Sequence, residues 1–209
     1  MAGTRLEPRS RAVAARRRFV TPLEQLEFEF ARVEPRWEFS RIAARSPHLK
    51  RIRARLDFVR RHFPELHSVC IRVGLAKKRG VLGWGSLDPH HPAIWIRPRR
   101  LDYFTIAHEL THLLQARGQV PRGERACDLH ALARSPEVVD TVPSYLRVPP
   151  TLGRRGVRPG DALVLHRAAC RALEARAAGD RQYLRLFERT VATAMGMELV
   201  TRGRRRSRH

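Results

Sequence analysis

Cysteine is scarce in this 209-residue chain: Cys70, Cys127 and Cys170 are all it has. Three is an odd number, and their spacings lack the pairing of a disulfide framework or a cysteine-built zinc site. A reducing, intracellular compartment is the expectation. Acidic residues are also few, 20 Asp+Glu against 42 Lys+Arg, for a formal net charge of +22. No apolar run reaches the roughly 18 residues that a membrane-spanning helix requires. Arg16-Arg17-Arg18-Phe19 has the look of a twin-arginine export signal, but the charged stretch PLEQLEFEFARVE follows it rather than an apolar segment, which argues against export. The expected location is cytoplasmic, with nucleoid association as its natural extension.

Nearly all the basic residues are arginine. Such a balance draws phosphate-rich or acidic partners through long-range attraction and counterion release. A solvated surface with a compositional bias toward arginine accounts for it equally well. Three stretches concentrate the charge: an Arg- and Ala-rich arm over 1–20, a basic helix over 48–62 and a basic tail over 199–209. These are the candidate nucleic-acid contacts. The domain expected between arm and tail spans 21–198, with its core at about 66–150.

Hydrophobic periodicity supplies the elements. Thr21 and Pro22 open a helix through Leu23, Leu26, Phe30 and Val33 that Pro35 stops. Ser46-Pro47 opens a second, to about His62, with Ile52, Leu56, Val59 and Phe63 on one face and Arg51, Arg53, Arg55, Arg60 and Arg61 elsewhere. Val69, Ile71, Val73 and Leu75 alternate as a half-buried strand does. A turn at Lys77–Gly80, a segment Val81–Ser86, a turn Asp88-Pro89-His90-His91-Pro92 and a segment Ala93–Arg97 follow. This reads as a short antiparallel meander of about three strands that leads into a helix over Leu101–Arg117. Gly118 stands where a helix C-terminal glycine belongs. A helix over Gly123–Arg134, a Pro- and Gly-rich loop over Ser135–Gly160, and helices over Ala162–Ala178 and Asp180–Met197 complete an α+β chain with helices flanking the meander.

The chemistry concentrates in Thr105–Gln115. His108-Glu109-Leu110-Thr111-His112 is a His-Glu-x-x-His array in an apolar helical context. Residues four apart lie one turn along the same face, so both imidazoles can converge on one metal ion with Glu109 beside them. This is the spacing of a zinc site in which the Glu is general base toward a water activated by the metal. A catalytic zinc takes three protein ligands and keeps a position open. Glu124, twelve residues after His112, is the preferred third ligand, and His130 is its rival. Asp128, one turn past Glu124, is placed to accept the spare ring N–H of a liganding histidine. Tyr145, His91 and His130 are the candidate oxyanion or substrate contacts, although Tyr145 equally reads as a loop-packing residue and His90-His91 as a solvated turn. The strand Ala93–Arg97 could hold an extended peptide by edge pairing.

The stretch from Gly83-Trp84-Gly85-Ser86 through Ile94-Trp95-Ile96 to the His-Glu-x-x-His helix resembles the SprT-like zincin metallopeptidases. There a hairpin precedes that helix and a third His is expected near the next helix start. The Glu124-x-x-x-Asp128 spacing is similar instead to gluzincins, whose Glu binds zinc and whose Asp orients a histidine. The resemblance covers about a quarter of the chain, Gly80–Ala133. It implies one zinc per chain on His108, His112 and Glu124, Glu109 as catalytic base, and a protein or peptide substrate. For the SprT-like group it also implies proteolysis near nucleic acid. The competing expectation is a non-catalytic, basic nucleic-acid-binding protein with a structural metal site or none. A purely structural zinc is closed by four ligands and has no use for Glu109.

Overall fold

The computed structural model describes residues 36–76, 83–86, 88, 90–143 and 156–195. The expected basic arm, the helix after Thr21, the turn at 77–80, the loop carrying Tyr145 and the basic tail lie outside these residues. In chain order the described elements are β1 (Trp37–Phe39), α1 (Arg41–Ala44), α2 (Leu49–Arg60), β2 (Ile71–Leu75), β3 (Gly83–Gly85), β4 (Ala93–Ile96), α3 (Tyr103–Ala116), α4 (Glu124–Leu132), α5 (Pro159–Ala177) and α6 (Tyr183–Ala194). No described helix is long and apolar enough to cross a membrane.

The sheet corrects the expected meander. Its strand order is β1-β2-β4-β3. β1 pairs with β2 and β2 with β4 in parallel, while β3 and β4 are antiparallel. After β2 the chain skips one position, lays β3 at the sheet edge and returns to place β4 between them. Alternation in the sequence marks a strand and the face it buries, but it does not name the neighbour. The parallel β2–β4 pairing was therefore invisible, and so was β1, which has only three residues. Mixed helix and strand is nonetheless what the chain forms.

α3 is the central element. Ten of its fourteen residues are buried, from Phe104 to Gln115, and it packs against α2, α4, β3 and β4. A helix apolar on nearly every side has to be enclosed this way. Ile52, Leu56, Val59 and Phe63 from the α2 segment, Ile71, Val73, Ile94 and Ile96 from the sheet, and Ile106, Leu110 and Leu113 from α3 are all at most 1 % exposed. Burying a side chain of this size contributes about 1.5–3 kcal/mol. α4 then packs on α5, and α5 on α6.

Both ends of α3 are secured by polar groups. At the start, Asp140 accepts from the backbone N–H of Tyr103 at 2.8 Å and of Phe104 at 3.0 Å, so a carboxylate 37 residues beyond the first residue of the helix caps it and complements its dipole. At the end, Gly118 takes φ +73°. The Gly118 N–H donates to Gln115 O and the Gln119 N–H to Leu114 O, the paired bonds of a Schellman turn.

The basic helix 48–62 also differs from a simple solvated face. Arg60 is only 1 % exposed. Its guanidinium donates to the carbonyls of Leu66 at 2.6 Å and Val69 at 2.5 Å and lies over the Trp37 ring. Arg51 donates to Pro98 O and Arg55 to Leu101 O, which fastens the segment entering α3. Arg53 stands over the Phe39 ring.

Candidate metal centre

His108 and His112 sit on consecutive turns of α3, and their Nε2 atoms approach to 3.0 Å. Glu124, the first residue of α4, reaches back so that its Oε2 lies 3.3 Å from His108 Nε2 and 3.5 Å from His112 Nε2. The Schellman turn and the short connection after it allow this, because they fold α4 back along α3. The three atoms form a nearly equilateral triangle. A tetrahedral zinc with bonds of about 2.0–2.1 Å has donor–donor edges of about 3.3 Å.

The hydrogen bonds behind the rings fix where the protons are. Gln115 donates its side-chain N–H groups to Pro121 O at 2.7 Å and Gly123 O at 3.0 Å. Both acceptors are carbonyls, so the amide orientation is determined. Its Oε1, 2.8 Å from His112 Nδ1, must therefore accept a proton held on Nδ1. The Oδ1 of Asp128 does the same for His108 Nδ1 at 2.6 Å. In the neutral rings both Nε2 atoms then carry lone pairs that face each other and the Glu124 oxygen. Three acceptors at these distances repel unless a cation lies among them, either one proton or one metal ion. Burial pushes the basicity of His108 down, but Asp128, Glu109 and Glu124 outweigh this and leave it raised, as expected for a ring in a pocket that attracts positive charge.

Glu109 lies beside the triangle, 3 % exposed, and its Oε2 has no hydrogen-bond partner among the described residues. Its carboxyl is pushed up to about 7, chiefly by burial; the charge of His108 opposes this, and those of Glu124 and Asp128 add to it. A carboxylate that can take or release a proton near neutrality is suited to general base work.

β3 covers this end of α3. A Cβ on Gly85 would stand 2.8 Å from His112 Cβ, 2.9 Å from the Glu109 carbonyl oxygen and 3.6 Å from Glu109 Oε2. The edge strand therefore lies directly on the motif helix, and glycine is what permits the approach.

His108, His112 and Cys127 also bring ligand atoms within 4.8 Å of one another and form a group that can hold a metal ion. Cys127 is buried, and its thiol donates to His108 O at 3.1 Å. Burial, and then the charges of Asp128, Glu109 and Glu124, push the thiol well above its ordinary range. Glu124, by contrast, already completes the triangle with its Oε2.

The structure thus brings together His108, Glu109, His112, Glu124 and Asp128. It does not bring in His130, whose ring lies near Arg134 and Arg176; its basicity is pushed down to about 4 by burial and by these two charges. Nor does it bring in His91, an exposed residue bonded to Asp88 at 2.9 Å in the turn before β4. Tyr145 lies outside the described residues. Gln115 and Cys127 are the members that sequence reasoning did not assign. Gln115 is one turn beyond His112 on the same helix face, a signal present in the spacing.

No protein-family model, curated protein or solved structure matches this chain.

Proposed function

We propose that the chain is a zinc-dependent hydrolase of the peptidase type, with His108, His112 and Glu124 holding the metal. The observation that carries this reading is the convergence of the two Nε2 atoms and the Glu124 oxygen beside a buried Glu109 Oε2 that has no hydrogen-bond partner among the described residues. Zinc there supplies a Lewis acid that lowers the pKa of water and polarises a carbonyl. The protein residues do the rest. Asp128 and Gln115 hold the two imidazoles in the tautomer that presents Nε2. Glu109 Oε2, which has no partner among the described residues, takes a proton from the attacking water and returns it to the leaving amine. β3, lying against α3, offers the nearest sheet edge along which an extended peptide could add as a strand, in place of the central β4. The donor set of two His and one Glu, with an Asp one turn on, agrees with the gluzincin resemblance better than with the SprT-like one.

The test is metal content and peptide hydrolysis on the same samples. Wild type should carry about one zinc per chain. Glu109→Gln should keep the metal and lose about 10²–10⁴-fold in kcat, the usual scale for a general base. Retained activity in Glu109→Gln, or a wild type that binds no metal, would sink the proposal.

A second reading has one observation in its favour. If Cys127 swings onto the metal as a fourth ligand, the site closes and becomes structural, and the chain is then a basic nucleic-acid-binding protein. The exposed arginines of α2 and the excess positive charge remain the proposed contact for nucleic acid under either reading.

A further inference from the structure

A cleft of about 200 Å³ opens beside the metal group, lined by His112, Gln115, Ala116, Arg122, Gly123 and Glu124. That is room for roughly half a dozen waters, the scale of one side chain. Two of its walls are the proposed ligands His112 and Glu124, so whatever enters it sits next to the reacting centre. Arg122 is exposed and is the lone fixed positive charge among the six lining residues. No hydrogen bond or ion pair ties it to a described residue. Several other arginines near this helix pair are occupied: Arg134 holds Glu65 at 2.8 Å, and Arg51 and Arg55 hold backbone carbonyls. Gln115, the remaining polar lining group, spends its amide on His112, Pro121 and Gly123. Arg122 is therefore the group left to meet an incoming ligand.

We propose that Arg122 is a specificity-determining residue that binds a carboxylate of the peptide substrate, so that the site selects peptides bearing a negative charge next to the bond to be cut. This rests on the peptidase reading above. The planar guanidinium fork matches a carboxylate in two-point fashion. The carboxylate can come from an Asp or Glu side chain or from a free chain terminus, and the chemistry is shared. A nucleic-acid phosphate fits less well, because the cleft takes one side chain rather than a continuous phosphate backbone.

The experiment uses full-length, zinc-loaded Glu109→Gln chain and three fluorescent peptides, at one ionic strength. One peptide is blocked at both ends with a central Asn. The second replaces that Asn by Asp. The third keeps Asn but has a free C-terminal carboxylate. At least one charged peptide should bind about three- to tenfold tighter than the neutral one, the range of a partly exposed ion pair in a cleft, and which one does identifies the source. Adding Arg122→Ala should abolish the preference with metal content unchanged. Arg171→Ala, which removes the same charge from an exposed site on α5, should preserve it. Equal effects of the two substitutions, no preference for either charged peptide, or displacement by a single-stranded oligonucleotide that depends on Arg122 would each overturn the proposal. Arg122-dependent binding in a chain whose wild type cleaves none of the three peptides would support the carboxylate site and sink the peptidase reading.

Discussion

His108 Nε2 and His112 Nε2 lie 3.0 Å apart, each on a ring whose other nitrogen faces an oxygen acceptor. The pair is an arrangement of lone pairs that a cation must hold together. Zinc bound only by the folded chain should therefore raise its stability, by about 2.7 kcal/mol when free zinc is a hundredfold above Kd. Thermal unfolding with and without zinc checks this. Glu124→Ala should weaken zinc binding, and Cys127→Ser should leave it unchanged. Cobalt in place of zinc gives a second readout: an intense near-ultraviolet thiolate band in wild type, lost in Cys127→Ser, would make Cys127 a ligand and favour the closed, structural site.

Gln115 joins three things at once: the His112 ring, the Pro121 carbonyl and the Gly123 carbonyl. Gln115→Leu removes all three bonds and should cost roughly 10–100-fold in metal affinity, the usual effect of losing the partner behind a metal-binding histidine. Gln115→Glu retains an acceptor for His112 but turns two donors into repulsive oxygens at the connection leading to Glu124, so it should fall between wild type and Gln115→Leu. Chelator competition measures both. Unchanged affinity in the two variants would mean that His112 is oriented by α3 packing alone.

Gly85→Ala should be far more damaging than a methyl group on an edge strand ordinarily is. The added carbon meets the Glu109 carbonyl oxygen at 2.9 Å, and backbone in the middle of a buried helix cannot yield. β3 has to lift off α3, at a cost of about 1–3 kcal/mol, and the cover over Glu109 goes with it. A lowered Tm together with weaker peptide hydrolysis is the expected pair of outcomes. Wild-type stability in Gly85→Ala would show that β3 is not seated on the helix as described.

These predictions draw on residues that were unequally legible in the sequence. His108, His112, Glu109, Glu124 and Asp128 could be read because helical periodicity converts spacing directly into position. Each relation among them spans one helix turn or one short connection. The turn at Gly118 was legible for the same local reason. The sheet order was not, since the β2–β4 pairing joins segments about twenty residues apart with another strand between them. Asp140 was hidden for a related cause: a carboxylate in a stretch read as loop carries no mark of the distant helix it caps. Arg60 reads in the sequence only as one of the arginines off the apolar face of its helix, because arginine is rarely interior. What makes it interior is a set of carbonyls at 66–69 that only the folded chain presents.

His130 carries a pH prediction that does not depend on the metal. Its ring is held well below an ordinary histidine by burial and by the charges of Arg134 and Arg176, down to about 4. In the unfolded chain it titrates near 6.5. Between these values the unfolded chain binds the proton and the folded chain does not, so stability falls as pH drops through this window. From pH 7 to pH 5 the loss assigned to this ring is roughly 1–2 kcal/mol. Denaturant unfolding of wild type and His130→Gln at both pH values, with chelator present, isolates it. Wild type should lose more stability than His130→Gln by that amount. Equal losses would place His130 in a more open setting than the one between α4 and the two arginines, and would restore it as a candidate contact for substrate.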